Sequence, residues 1–311
     1  MNNNDLYKLT NSLPSDVQSV NNHNVSFMRQ FFSTFFARKS AVVGLFFSIV
    51  IISLAFIIPA ITGPAVVSGD PELLNLAPSK EHIFGTDSSG RDMWARTWYA
   101  LRYSLILGMV TTGINILIAI FLGLSMGYYQ KFDKGMQFFI KVFYSIPGIL
   151  ILILLTLIPA PKGSSIEETE NFRLMIMIVG LVVTGWVSPS QQVRSATLQQ
   201  RSQGFVTASK TLGTSDIVII KDLFKFTIPT IISQVIIVFP RMILSEATIG
   251  FLGLGIPNAD TLGNLISEGR KFITVYPYQV FIPVGFLITT VIAIQLVGDG
   301  LQEASSKMGG R

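Results

Sequence analysis

Arg241 and Glu246 stand inside an otherwise apolar run at about residues 227 to 253. A charge at membrane depth is costly, so each should meet a buried partner or line a wet pathway. Their five-residue spacing puts them on different faces of a helix. Both are pathway candidates, with a structural pair between helices or subunits as the alternative. Other chemistry is scarce. Cysteine is absent and histidine occurs only at His23 and His82, which removes the usual ligands of haem, iron–sulfur clusters and structural zinc. No G-x-x-x-x-G-K-[ST] occurs, so any ATP used by the process is hydrolysed on another chain. No apolar run holds a histidine, which argues against an intramembrane hydrolase, although serine–lysine chemistry stays open.

Two polar stretches carry patterned chemistry of another kind. In "GFVTASKTLGTSDIVII", residues 204 to 220, Phe205, Ala208 and Leu212 fall at i, i+3 and i+7, one apolar stripe on a short helix. Thr207, Ser209 and Lys210 take other faces, and Gly213 stands where a left-handed cap is cheapest. Thr214 or Ser215 can then cap a second helix with Asp216 in its first turn. Helix, glycine turn, helix follows, either resting on lipid headgroups or docking into a partner. In "GTDSSGRD", Asp87 and Asp92 can bond nearby backbone and the glycines permit tight bends. Asp87, Arg91 and Asp92 are candidates for docking an external protein; the alternative is a purely structural loop.

The elements that must position these residues are membrane helices. Half of the 311 residues are hydrophobic and 13% are charged, and the apolar residues gather in blocks. About 20 apolar residues span the hydrocarbon layer, and six stretches qualify: roughly 40 to 61, 101 to 128, 137 to 158, 174 to 193, 227 to 253 and 279 to 298. The expected fold is all-α and polytopic, with six transmembrane helices. About 40 polar residues precede the first, without the start of a cleavable signal peptide, so the N-terminus should be retained. No internal repeat is visible.

Basic residues orient the chain. Residues 1 to 39, the turn with Lys131, Asp133 and Lys134, and the loop 194 to 225 with Arg194, Arg201, Lys210, Lys221 and Lys225 carry the excess. That side is cytoplasmic, and six spans put both termini there. The division is then a cytoplasmic segment 1–39, a first helix 40–61, an extracellular loop segment 62–100, a transmembrane core 101–304 and a tail 305–311. Trp94, Trp98, Tyr99, Tyr128 and Tyr129 fit an interfacial belt. Gly253 and Gly255 should end the fifth span or let helices approach. Asp299 and Glu303 read as a solvated helix end or a contact to a cytoplasmic partner.

"FVTASKTLGTSDIVII" resembles the cytoplasmic signature loop of binding-protein-dependent ABC importer permeases, whose Glu-Ala-Ala triplet precedes a glycine by four residues. Thr207, Ala208 and Ser209 occupy the triplet, and Gly213, Ser215 and Asp216 follow as in the peptide-transporter version. The glutamate is absent, and Thr207 can hydrogen bond but not form an ion pair. A later Leu-Pro of the family is replaced by Ile228-Pro229, a few residues downstream. "HIFGTDSSGRDMWARTWYALRYSLILG", "TGWVSPSQQVR", "SEATIGFLGLGIP" and "VGDGLQEA" are similar, in order, to the C-type permease of dipeptide, oligopeptide and nickel importers. The resemblance covers about residues 27 to 308.

That resemblance implies the type I ABC importer permease fold, with the segment between spans 4 and 5 as a coupling helix. Phe205, Thr207, Ala208, Ser209, Lys210, Leu212, Gly213, Ser215 and Asp216 would couple to ATPases, and Glu246 matches an acid common in the family. It implies no enzyme activity and no cofactor on this chain, ATP and Mg residing on partners. Those partners would be a second homologous permease, two ATPase subunits, a lipid-anchored or periplasmic binding protein and membrane lipid, not nucleic acid. The site would be a prokaryotic plasma membrane. Di- or oligopeptide import is the expected function; the alternatives are a nickel or metal-chelate importer of the same family and a stand-alone secondary transporter.

Overall fold

The computed structural model describes residues 27–63 and 69–309. Residues 1–26, with His23 and most of the expected cytoplasmic segment, residues 64–68 and residues 310–311 of the tail lie outside the described residues. Among those described, the architecture is α-helical without a strand, as the apolar blocks require. A short helix α1 (Phe27–Ala37) leads into α2 (Lys39–Thr62), and α3 (Met93–Tyr128) follows the irregular segment 69–92. Next come α4 (Gln130–Tyr144), α5 (Gly148–Thr156), α6 (Ile166–Gly185) and α7 (Val187–Arg201). The chain continues through α8 (Gly204–Thr211), α9 (Asp216–Ile249), α10 (Leu262–Gly269) and α11 (Tyr278–Gly309).

Five helical segments are long and apolar enough to cross a membrane, six if one bent pair counts as a span. The bent pair is a correction to the span expected at 137 to 158. There α4 and α5 meet at 73°, because Pro147 has no N–H to donate and disfavours helical geometry in the residue before it. Helix α3 starts at Met93, earlier than the expected 101, because Asp92 caps it: its Oδ1 accepts from the Ala95 amide at 2.9 Å. Helix α6 also starts on a capping box, with Ser165 and Glu168 each accepting from the other's backbone amide. Pro189, near the start of α7, accounts for the break after Gly185.

Helix α3 is the hub, packed on α7, α9, α2, α6 and α10. Gly123 and Gly127, a G-x-x-x-G pair, bring α3 against Val193 and Thr197 of α7 so closely that a Cβ at either position would collide. Leu107, Ile116, Leu181, Val193, Val238 and Met242 form the core shared by α3, α6, α7 and α9. The belt expectation fails for two aromatics. Trp98 is 4% exposed and packs edge-on to Phe286 at 4.8 Å, and Tyr128 is 3% exposed. Both are covered by neighbouring side chains, Trp98 by Trp94 and Phe286, and Tyr128 by Val206, Ile219 and Leu223.

Candidate functional site

The candidate side chains gather at three levels along the bundle. At one end is the elbow between α7 and α9. Helix α8 closes with the paired bonds of a Schellman turn: the Gly213 amide donates to Lys210 O and the Thr214 amide to Ser209 O, both at 3.0 Å. Gly213 has φ +78°, the left-handed geometry expected of it. Ser215 stands at the N-cap of α9 in extended conformation. Val206 is buried with Tyr128, Ile219 and Leu223, and the Phe205 ring lies 5.3 Å from that of Phe226. Tyr128 at the end of α3 donates its hydroxyl to Asp216 Oδ1 at 2.5 Å, while the Lys210 ammonium sits 4.7 Å from its ring centre. The elbow is thereby latched to the hub helix.

The expected stripe of Phe205, Ala208 and Leu212 divides. Phe205 is half-buried, but Ala208 and Leu212 are exposed and Val206 takes the buried place. The helix ends at Thr211, so Leu212 leaves its face before the seventh residue returns to it. Thr207, Ala208, Lys210, Thr211 and Leu212 are all exposed, as is Ile217 in the first turn of α9. Ser209 is half-buried, and Gly213, Ser215 and Asp216 lie at the surface. The loop is braced further by Arg194, whose Nε and Nη2 donate to the two oxygens of Asp133 at 2.5 and 2.7 Å. Gln137 and Gln191 exchange amide bonds alongside.

The middle level is a cavity of about 300 Å³, open on one side, between α5, the α6–α7 break and α9. Tyr144, Thr184, Ser188, Ser245 and Thr248 give it hydroxyls, and among the described residues Arg241 is its sole charged lining residue. Glu246, the other pathway candidate, is 1% exposed and does not line this cavity. Its Oε2 accepts from Ser104 Oγ at 2.9 Å, and Ser104 Oγ in turn accepts from the Leu262 amide at 3.2 Å. The acid thus ties α9 through α3 to the start of α10.

At the other end of α3 from Tyr128 lies an ion network. Arg96, 2% exposed, donates through Nη1 to Asp87 and to Glu268, and through Nε and Nη2 to Asp260 at 3.0 and 2.5 Å. Arg91 Nε donates to Asp87 at 2.8 Å and its Nη2 to Glu268 at 2.9 Å. Burial pushes the Asp87 carboxyl up. The Arg96 guanidinium, the Arg91 and Ser89 amides and the Arg91 charge outweigh burial and hold it below the usual carboxylate range. Asp92 caps α3 and holds His82 Nδ1 at 2.8 Å. Asp87, Arg91 and Asp92 therefore turn into the loop's own bonds, while Glu72, Lys80, Glu81, Ser88 and Ser89 face outward.

Sequence reading missed Tyr128, Ser104, Arg96, Asp260 and Glu268, whose partners lie far along the chain. Arg96 alone left a signal: an arginine just inside a helix capped by Asp92. Glu303, read as a solvated end, pairs with Arg38 at 3.0 Å, and Arg38 also donates to the Asp299 carbonyl at 3.1 Å. Gly253 ends the fifth span as expected, with φ +79° in the π-helical turn Gly250–Leu254.

Comparison with known proteins places this geometry in context. Residues 115–307 match the model of the family described as binding-protein-dependent transport system inner membrane component. Residues 26–78 match the N-terminal TM domain of oligopeptide transport permease C. The chain is 35% identical over 294 residues to the dipeptide transport system permease protein DppC of Bacillus subtilis, covering 93% of this chain and 88% of that one. It is 30% identical over 295 residues to the oligopeptide transport system permease protein OppC of the same organism, covering 93% and 92%. With the oligopeptide transport system permease protein AmiD of Streptococcus pneumoniae the identity is 29% over 286 residues, covering 90% and 89%.

Proposed function

This chain belongs to the family of binding-protein-dependent transport system inner membrane components, and from that premise we propose that it is a permease half of an ATP-driven importer of di- or oligopeptides. A second homologous permease closes the open side of the Arg241 cavity, and the two together enclose the pathway. Two ATPase subunits, which carry the ATP and Mg, dock on the exposed face of the elbow. Their closure pushes Thr207, Ala208, Leu212 and Ile217, and the push passes through Val206 and the Tyr128–Asp216 latch into α3 and α9. This is rigid-body gating of a bundle with two packings.

A lipid-anchored or periplasmic binding protein delivers the cargo to the outer face, against Glu72, Lys80, Glu81, Ser88 and Ser89, on a platform that Asp87, Arg91 and Asp92 hold in shape. Both termini are cytoplasmic, in a prokaryotic plasma membrane. The carrying observation is the elbow. A short polar helix with an exposed apolar rim, latched to the hub helix of a membrane bundle, is built to receive force from a soluble partner. The peptide reading is preferred to the metal-chelate one because the three relatives above carry peptide transport names.

The test is affinity purification of the chain from its native membrane in mild detergent. The expected result is a complex with a second permease and two ATPases, whose ATP hydrolysis rises on adding peptide-loaded binding protein. A chain that purifies alone and moves peptide without ATP would sink the reading.

A further inference from the structure

Arg241 sits about 38 Å along α9 from Asp216 and about 12 Å from Ile249, at 1.5 Å per residue. It is exposed to the cavity, and its polar contact there is Ser188 Oγ, 3.4 Å from Nη1. A guanidinium has five donors, and one long bond leaves most of them open. Among the described residues no carboxylate pairs with it, and no Asp or Glu lines the cavity. The contrast with Arg96 is instructive: that arginine spends its donors on three acids. Arg241, at membrane depth, faces an open space lined by serine hydroxyls at Ser188 and Ser245 among apolar side chains.

We propose that Arg241 is a carboxylate-binding residue of the translocation pathway, which takes the C-terminal carboxylate of the peptide in transit. The proposal rests on the peptide reading above. The fork of the guanidinium matches a carboxylate with two parallel bonds. Ser188, which accepts from Arg241 and keeps its own proton, and Ser245 can supply further donors without committing to any side chain. The C-terminal carboxylate is common to every unmodified peptide, so one arginine serves cargo of any sequence. A volume of about 300 Å³ equals that of roughly ten waters. The cleft on this chain accommodates a terminal residue or two, which suits a site that orients one end of the cargo.

The test uses the complete complex in proteoliposomes with its binding protein. The cargoes are di- to penta-alanine and their C-terminal amides, with uptake divided by separately titrated occupancy of the binding protein. The wild type should favour acid over amide by roughly ten-fold, the worth of a charge-assisted pair in a partly wet site. Arg241→Gln should bring that ratio to about one by lowering acid uptake while leaving amide uptake alone, and Arg241→Lys should fall between. Equal loss of acid and amide, or an unchanged ratio, would overturn the assignment. So would loss of the second permease from the purified Arg241→Gln complex, which would mark the arginine as an interface ion pair. Failure of the wild type to take up any of these peptides would overturn the peptide reading itself, and the proposal with it.

Discussion

Replacing Arg96 with methionine keeps an unbranched stem as far as the position of Nε and removes the charge from the centre of the ion network. Asp87 and Glu268 would each keep Arg91. Asp260 would not: its bonds come from Arg96 Nε and Nη2. Breaking a buried pair from one side costs about 3–5 kcal/mol. The Asp260 side chain is 21% exposed, so water recovers part of that and the lower end, about 3 kcal/mol, applies. Local opening of α10 from the loop should then be favoured roughly 150-fold. Hydrogen exchange of the Leu265 and Ile266 amides, followed by mass spectrometry in detergent, should accelerate by about that factor, while the hub helix α3 changes little. Adding Asp260→Asn removes the stranded charge and should restore at least roughly ten-fold of the protection. A single variant accelerated less than about three-fold, or a double variant no better than the single, would refute the claim that Arg96 acts by pairing Asp260.

The depressed Asp87 carboxyl sets a pH window. Its stabilising effect is fully present above the ordinary aspartate value of about 3.9 and fades as the pH falls through the lower folded value. Fluorescence of Trp94 and Trp98, which adjoin the loop through Phe84, should therefore stay flat from about pH 7 to 5; a transition inside that range would contradict the assignment. Gly123→Ala should lower the thermal midpoint at a cost of about 1–3 kcal/mol, because the new Cβ would lie 2.6 Å from Val193 Cβ. Gly113→Ala, which meets nothing within 4 Å, should not, and equal effects would remove the packing argument. Tyr128→Phe deletes the bond to Asp216 and should weaken the latch by about 1 kcal/mol, since the exposed carboxylate recovers water. Tryptic cleavage after Lys210 should quicken about five-fold, and an unchanged rate would show that the hydroxyl holds nothing.

Much of the architecture is local and was therefore legible. Apolar blocks of the right length make helices wherever lipid forbids unpaired backbone groups, and Gly213 punctuates them through its φ. The elbow, its glycine turn and the odd position of Arg241 could all be read from residue types in order. The local rules erred where a helix ended early, as at Leu212. They erred too where a proline split one apolar run into two helices, as at 137 to 158.

Tertiary structure decided which of the two intramembrane charges meets the cavity. Residue type alone made both Arg241 and Glu246 pathway candidates, but the roll of α9 turns one toward open space and the other onto Ser104. It also chose the partners of Arg96, since Asp260 and Glu268 lie more than 160 residues away along the chain. Helix period and capping are properties of neighbouring residues, so the amino-acid order determines them. Which face a helix shows its neighbours depends on how all the helices pack at once, and no stretch of this sequence carries that by itself.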